Sequence, residues 1–355
     1  MKRAQRKLEH IKYALELGDG PRSTHFEDIR FLHNCLPEVN PADIILSGEV
    51  FGKQLRLPFL IDAITGGTDA VADVNAKVAQ AAADLGIAMA VGSQYGAVRD
   101  GVGYASYEIV RKYNPNGVVF ANISALATPA QAGEAVRMLN ADALEIHLNP
   151  AQELFMSEGD KDFRGLLDNM LRIRDGIDVP VIVKETGCGI AKEEYARLKA
   201  AGFTCFDCAG AGGTNFPAIE AARYGKELTA DFAGWGLPTA WTLLDGASTC
   251  NERDFLIASG GIRNASQVTK AFALGADMVG ITGIALRLIQ EAGVDAVVTY
   301  FEELGKQLTN YMLLLGAKAP WDLRKAPVIF GGDTLNYILN RDYDLASLSK
   351  KKKMI

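Results

Sequence analysis

No stretch of the chain offers about 18 consecutive apolar residues, so nothing in it reads as a membrane-spanning helix. The first twenty residues, MKRAQRKLEHIKYALELGDG, are charged and lack the apolar core of a secretory signal, so the expected location is the cytoplasm, with no membrane partner. An excess of basic charge is missing as well. Lys and Arg number 37 against 43 Asp and Glu, a net charge of -6, which speaks against a general nucleic-acid partner. Cysteines are few and odd in number, five in all, as in a reducing compartment rather than a disulfide scaffold. Two of them, Cys205 and Cys208, are spaced as CxxC, but residues three apart in a strand face opposite sides. They read as buried small apolar side chains, not as a metal or redox pair. Lys350 to Lys353 read as a solvated tail.

What the chain does have is apolar mass: 355 residues, 48% of them apolar, enough for one large core or two smaller ones. Apolar runs recur at 57–65, 87–93, 118–124, 143–149, 179–186, 205–210, 255–261 and 277–283. Short, nearly continuous runs are the pattern of strands covered on both faces. Helix-period segments lie between most of them, such as 71–86 and 266–276, each near a Gly where a left-handed C-cap belongs. Eight strands alternating with helices predict a single (β/α)8 barrel, the TIM-barrel architecture, rather than a doubly wound sheet. Residues 1–56 stand outside the repeat as an N-terminal extension, 57–355 form the barrel domain with its C-terminal helices, and the sixth connection, 211–254, is long.

In such a barrel the active site is built where the strands end. The run ends read Thr65-Gly66-Gly67, Gly92-Ser93-Gln94, Asn122, His147 with Asn149, Lys184 with Glu185, Asp207, Ser259-Gly260-Gly261 and Thr282-Gly283. A full ring of polar groups and glycines predicts a ligand-lined mouth. Around strands seven and eight, SGGIRNASQVTKAFALGADMVGITG (259–283) offers glycine N–H groups and Arg263 to an anion, a phosphate cup. Flavin, nucleotide and sugar phosphates all use such a cup. Lys184, which can stabilise electron density on a ring, and Asn122 and Ser93, which can bond an amide-and-carbonyl edge, favour flavin mononucleotide.

Taken in order, RKLEH (6–10), ITGG (64–67), GSQ (92–94), ANISA (121–125), HLNPAQE (147–153), KETGCG (184–189), GAGGTNF (210–216), GWGLPT (234–239) and SGGIRN (259–264) carry a further signal. Through these segments the chain resembles the type 2 isopentenyl-diphosphate isomerases, a flavoprotein family, over essentially its whole length. The resemblance implies FMN, NADPH to reduce it, and Mg2+, in the interconversion of isopentenyl and dimethylallyl diphosphate. It also implies a homo-oligomer of four or more copies.

By the same resemblance Gln152 stands near the reacting carbons as an orienting or proton-relaying group, and Glu153 is the Mg2+ ligand. His147 and Asn149, two apart and so on one strand face, would reach the diphosphate, while Ser93 and Gln94 would serve flavin or substrate. Arg6, Lys7 and His10 share a helix face and become a diphosphate clamp over the mouth. Ala63, Thr65, Gly66, Ser93, Asn122, Lys184 and Thr214 match flavin contacts, and Gly261, Arg263, Thr282 and Gly283 match the phosphate cup. No strong acid–base pair stands out near the flavin. Two positions depart from the family: Ile64 where Met is common, and Tyr95 where some members carry an Arg that touches the diphosphate.

Other readings compete. FMN-dependent 2-hydroxy-acid oxidases share the barrel and the cup, but their base is a His followed by Gly-Gly-Arg, and the comparable loop here, GAGGTNF, has neither His nor Arg. A reading like inosine-monophosphate dehydrogenase needs a nucleophilic cysteine, for which only Cys188, between glycines, is placed. A non-catalytic phosphate-ligand sensor would bind cofactor without turnover.

Overall fold

The computed structural model describes residues 3–349; the lysine run 350–353 lies outside the described residues. Eight strands close a parallel barrel: β1 (Phe59–Ile61), β2 (Ala88–Ala90), β3 (Val119–Ser124), β4 (Ala143–Leu148), β5 (Val181–Glu185), β6 (Cys205–Asp207), β7 (Phe255–Ala258) and β8 (Met278–Gly280). Closure is made where Val279 and Gly280 of β8 pair with Phe59 and Leu60 of β1. Each strand falls inside one of the apolar runs, but most are shorter than the run. In the first run the strand stops at Ile61 because the Asp62 carboxylate accepts from the N–H of Ala63 at 2.6 Å and turns the chain out of the ladder.

Leu60, Ala90, Phe120, Ile182, Cys205, Ile257 and Met278 fill the barrel's interior. Its floor is sealed by the hairpin Gly48–Val50 and Lys53–Leu55, whose turn residue Phe51 packs on Phe120 and Phe255, ring centroids 5.7 and 5.3 Å away. Cys208 belongs instead to the outer core between barrel and helices, so the two cysteines do face opposite sides. All five cysteines are free.

The helices that bear on the site are α1 (Arg3–Leu17), α2 (Ala72–Leu85), α3 (Tyr95–Asp100), α4 (Pro150–Phe155), α5 (Phe216–Arg223), α6 (Ala265–Leu274) and α7 (Gly283–Glu291). Helix α2 ends as expected on a left-handed Gly86 (φ 60°, ψ 42°). Gly275 after α6 does not take that cap: its φ of 122° and ψ of 2° lie outside the left-handed helical well. Helix α1 packs on α5 and α7 across the C-terminal ends of the strands. The chain then runs beside the sixth connection, with Gly20 N–H donating to Gly213 O at 2.9 Å. Farther along, Ile29–Phe31 pairs antiparallel with Val328–Phe330. No described helix is long and apolar enough to cross a membrane.

Candidate active site at the barrel mouth

A cavity of about 750 Å3 opens at the C-terminal ends of the strands, roofed by α1. Its floor is a polar layer on top of the apolar interior. Lys184 at the end of β5 donates to Asp62 and to Asp207, both at 2.6 Å. Ser259 donates to Asp207 at 2.5 Å. Asn122 on β3 donates to Glu145 at 2.7 Å, and its carbonyl faces His147 Nδ1 at 2.8 Å. All seven side chains are buried. Burial pushes Glu145 well above the ordinary carboxylate range, with Asp62 adding to it. Burial likewise pushes Asp207 up to about 6, against the pull of Lys184. Burial opposes the charge on Lys184, but Asp207, Asp62 and Glu145 together outweigh it and hold the ammonium. Burial, then Lys7 and Lys184, push His147 down to about 3, so its imidazole is neutral. Beside Lys184 and Asp207, which the run ends already offered, the structure sets Asp62 and Glu145. Three carboxyls surround one lysine, because the upper layer of a barrel interior receives alternate strand residues even within an apolar run.

One wall is the β4–α4 junction. His147 is the last residue but one of the strand, and Asn149 is not on that strand face but at the N-cap of α4, with φ -138° and ψ 45°. The Asn149 amide donates to Gln152 at 3.1 Å and to Glu153 at 3.0 Å. Pro150, at the first helical position, starts the turn that carries both. Glu153 also accepts from the N–H of Asp160 at 2.9 Å, and burial raises its pKa.

Arg6, Lys7 and His10 of α1 reach the same cavity, as the helical spacing predicts. A network the sequence reading missed holds Arg6 and His10 there. Glu220 of α5, fully buried, accepts from Gln152 Nε2 at 2.8 Å and meets His10 Nε2 at 2.9 Å on the same oxygen. Arg223 clamps the other oxygen of Glu220 and reaches Glu9 at 3.1 Å and Glu158 at 3.4 Å. Arg6 also pairs with Glu158, at 3.4 Å. Burial lowers the pKa of His10 despite Glu220.

The opposite wall brings together the residues expected to form the cup. Gly261, Arg263, Thr282, Gly283 and Thr214 all line it, and the first-turn N–H groups of α7 lack a side-chain cap. Gly261 has φ 71°, and a Cβ there would sit 2.0 Å from Gly212 O, so only glycine fits this close crossing of two loops. Asp19 from the N-terminal extension pairs with Arg263 over the cup. Ala63 and Ser93 line the cavity too. Three expected residues do not. Gln94 is fully buried, its amide donating to Ala135 O at 2.9 Å and accepting from Asn122 N at 3.0 Å, so it braces β3 from behind. Thr65 and Gly66 lie just behind the lining, Gly66 against the ring of Tyr107. Tyr95 lines the cavity, and one turn along α3 so does Arg99, its guanidinium 5.5 Å from the Tyr95 ring centre.

Residues 151–329 match the family model described as FMN-dependent dehydrogenase. Over 345 residues, 97% of the chain, the sequence is 45% identical to an isopentenyl-diphosphate delta-isomerase of a Geobacillus species, of which 98% is covered. The namesake proteins of Moorella thermoacetica and Bacillus pumilus are 42% and 40% identical, over 96% and 99% of the chain and 97% and 100% of their own lengths. The chain belongs to the isopentenyl-diphosphate delta-isomerase family. Solved structures of mandelate oxidase share the fold with TM-scores of 0.64 and 0.65, at 19% and 16% identity, covering 91% and 92% of the chain and 92% and 98% of theirs. At that identity the likeness is one of fold. The isomerase-family segment GAGGTNF crosses the cup with Thr214, and no histidine stands in it.

Proposed function

We propose that the chain interconverts isopentenyl and dimethylallyl diphosphate, using reduced FMN and Mg2+, as an isomerase of isoprenoid biosynthesis. The observation that carries this reading is one cavity in which an anion cup, a carboxylate on a short helix and a cationic helix face converge around Gln152. The residues suit an FMN. The cup is built from glycines and an uncapped helix start, and Lys184 lies in the floor. When bound, reduced FMN supplies an electron-rich ring that steadies positive charge on the substrate and exchanges a proton with it. The phosphate tail belongs at Gly261, Arg263, Thr282 and Gly283. Thr65, Gly66 and Gln94 keep a supporting part, from behind the lining. Glu153 suits Mg2+: both oxygens already accept hydrogen bonds and keep a spare lone pair, and a cation that retains waters needs few protein ligands. NADPH as reductant, a cytoplasmic setting and an assembly of four or more copies belong to the same reading. Exposed Phe163, Phe232 and Trp235 are side chains such an assembly can cover. So does the division of labour between a 1–56 arm that clamps substrate and a 57–355 barrel.

His147, Asn149, Arg6, Lys7 and His10 grip the diphosphate. Closing α1 over the mouth excludes water from a cation-like carbon. Gln152, an amide too weak to act as a base alone, orients the reacting carbons and passes a proton. In D2O, with FMN, NADPH and Mg2+, isopentenyl diphosphate is expected to yield dimethylallyl diphosphate carrying deuterium. Recovery of unlabelled, unchanged substrate from the flavin-loaded protein would leave the sensor reading standing instead.

Two local predictions accompany this. Arg99 takes over the diphosphate contact that Tyr95 cannot make. Its guanidinium is half exposed, so Arg99→Ala should raise KM only about two- to fivefold, at nearly constant kcat. Glu153→Gln should shift the Mg2+ titration of activity to higher concentration without releasing flavin, and an unmoved titration would remove Glu153 as the ligand.

A further inference from the structure

The floor of the cavity sets three carboxyls against one ammonium. One oxygen each from Asp62, Glu145 and Asp207 lies within 4.8 Å of the others. Lys184 faces Asp62 just past β1, Glu145 and His147 from β4, and Asp207 from β6 with the Ser259 hydroxyl just past β7, while Lys7 of α1 acts on His147. Three ionised carboxylates would leave two uncompensated negative charges in a buried layer, a far larger cost than holding a proton. Glu145 Oε1 has no hydrogen-bond partner among the described residues, as fits a carboxyl that keeps its proton. The Lys184 ammonium is meanwhile engaged twice, at 2.6 Å each. It cannot neutralise a new negative charge above it without loosening one of those pairs.

The geometry points to Asp62, Glu145, Asp207 and Lys184 acting as one proton-holding cluster that takes up a proton when the flavin above it is reduced. This rests on the reading of the cavity as an FMN site. A nicotinamide hydride brings two electrons and one proton to the ring and leaves as the oxidised nicotinamide; the ring then carries one negative charge. One proton passes from solvent to a carboxylate of the cluster, so the total charge of the floor and ring is unchanged. The titration belongs to the group as a whole. These residues are positioning residues for the cofactor's charge, not groups that touch the substrate.

The test is the midpoint potential of the FMN-loaded full chain, measured by dye-coupled reduction between pH 6.5 and 8, with the protonation of flavin N1 read by 15N NMR. Each proton taken up with the electron pair shifts the reduction equilibrium tenfold per pH unit, about 30 mV. Expected is uptake of two protons, about 60 mV per pH unit, with N1 unprotonated. Asp62→Asn, which leaves Lys184 one carboxylate, should take up one proton fewer and move the midpoint to more positive values. A single proton in the natural chain, or a second proton found on N1, would overturn the proposal while leaving the FMN site intact. Failure to bind FMN at all would overturn both. The natural chain decides the matter alone if the variant does not fold.

Discussion

Gln152→Ala is expected to lower kcat by about two to four orders of magnitude, the usual weight of a positioned proton-transfer group, with FMN still bound and KM little changed. The amide is held at both ends before any substrate arrives. Its nitrogen donates to Glu220 at 2.8 Å, and its oxygen accepts from Asn149 at 3.1 Å. Glu220 is itself fixed by Arg223 and shared with His10 of the roofing helix. An alanine removes the oriented group but leaves the cup, the Lys184 floor and α1 in place, so binding should survive where turnover does not. Glu220→Gln should fall between. It keeps the volume but weakens the hold on both Gln152 and His10, so KM should rise along with a smaller loss in kcat. Steady-state kinetics together with deuterium incorporation separate these outcomes. An alanine variant that turns over like the natural chain would exclude Gln152 from the chemistry.

The parts of this site that were legible from the sequence are those whose signal is local. The face shared by Arg6, Lys7 and His10 is a matter of helical period, and α1 does bring all three to the cavity. The residues read as a cup, Gly261, Arg263, Thr282 and Gly283, stand out through glycines that end two apolar runs, and all four line the cavity. Gln94 shows the weakness of the same logic. Its place after Gly92 and Ser93 puts it at a strand end, but the direction of a side chain leaving a loop is set by the wall behind it, where Ala135 O accepts its amide. Asp62 and Glu145 sat inside runs read as nearly continuous apolar strands. The clue available was a carboxylate at an inward position one step below the mouth, where a neutral polar or apolar side chain needs no partner. The Glu220, Arg223 and Glu158 network had no local signal at all. Gln152 and Glu220 are 68 positions apart, and Arg223 and Glu9 are 214, so only the folded chain brings them together.

Lys184→Met is expected to be the most damaging single change to the fold at this site. Methionine keeps most of the volume and the unbranched stem, so packing changes little, and what is lost is the ammonium between Asp62 and Asp207. Removing one partner of a buried ion pair leaves uncompensated charge and costs about 3–5 kcal/mol, here with two carboxylates stranded instead of one. The penalty should depend on pH in a definite direction. Burial pushes Asp207 up to about 6 in the fold, against roughly 3.9 in an unfolded chain. The fold therefore favours its neutral form, whose contribution is fully present below the unfolded value and is lost as pH rises through the folded one. Lys184 is the main influence pulling that folded value down, so its removal lifts the value further and widens the window over which stability is lost. Denaturation midpoints of the two chains should lie close together near pH 5 and separate steadily toward pH 8, with FMN affinity falling in parallel. A variant as stable as the natural chain at pH 8 would mean that the carboxyls under the cavity are already neutral without the lysine, and the charge arrangement described for the floor would have to be abandoned.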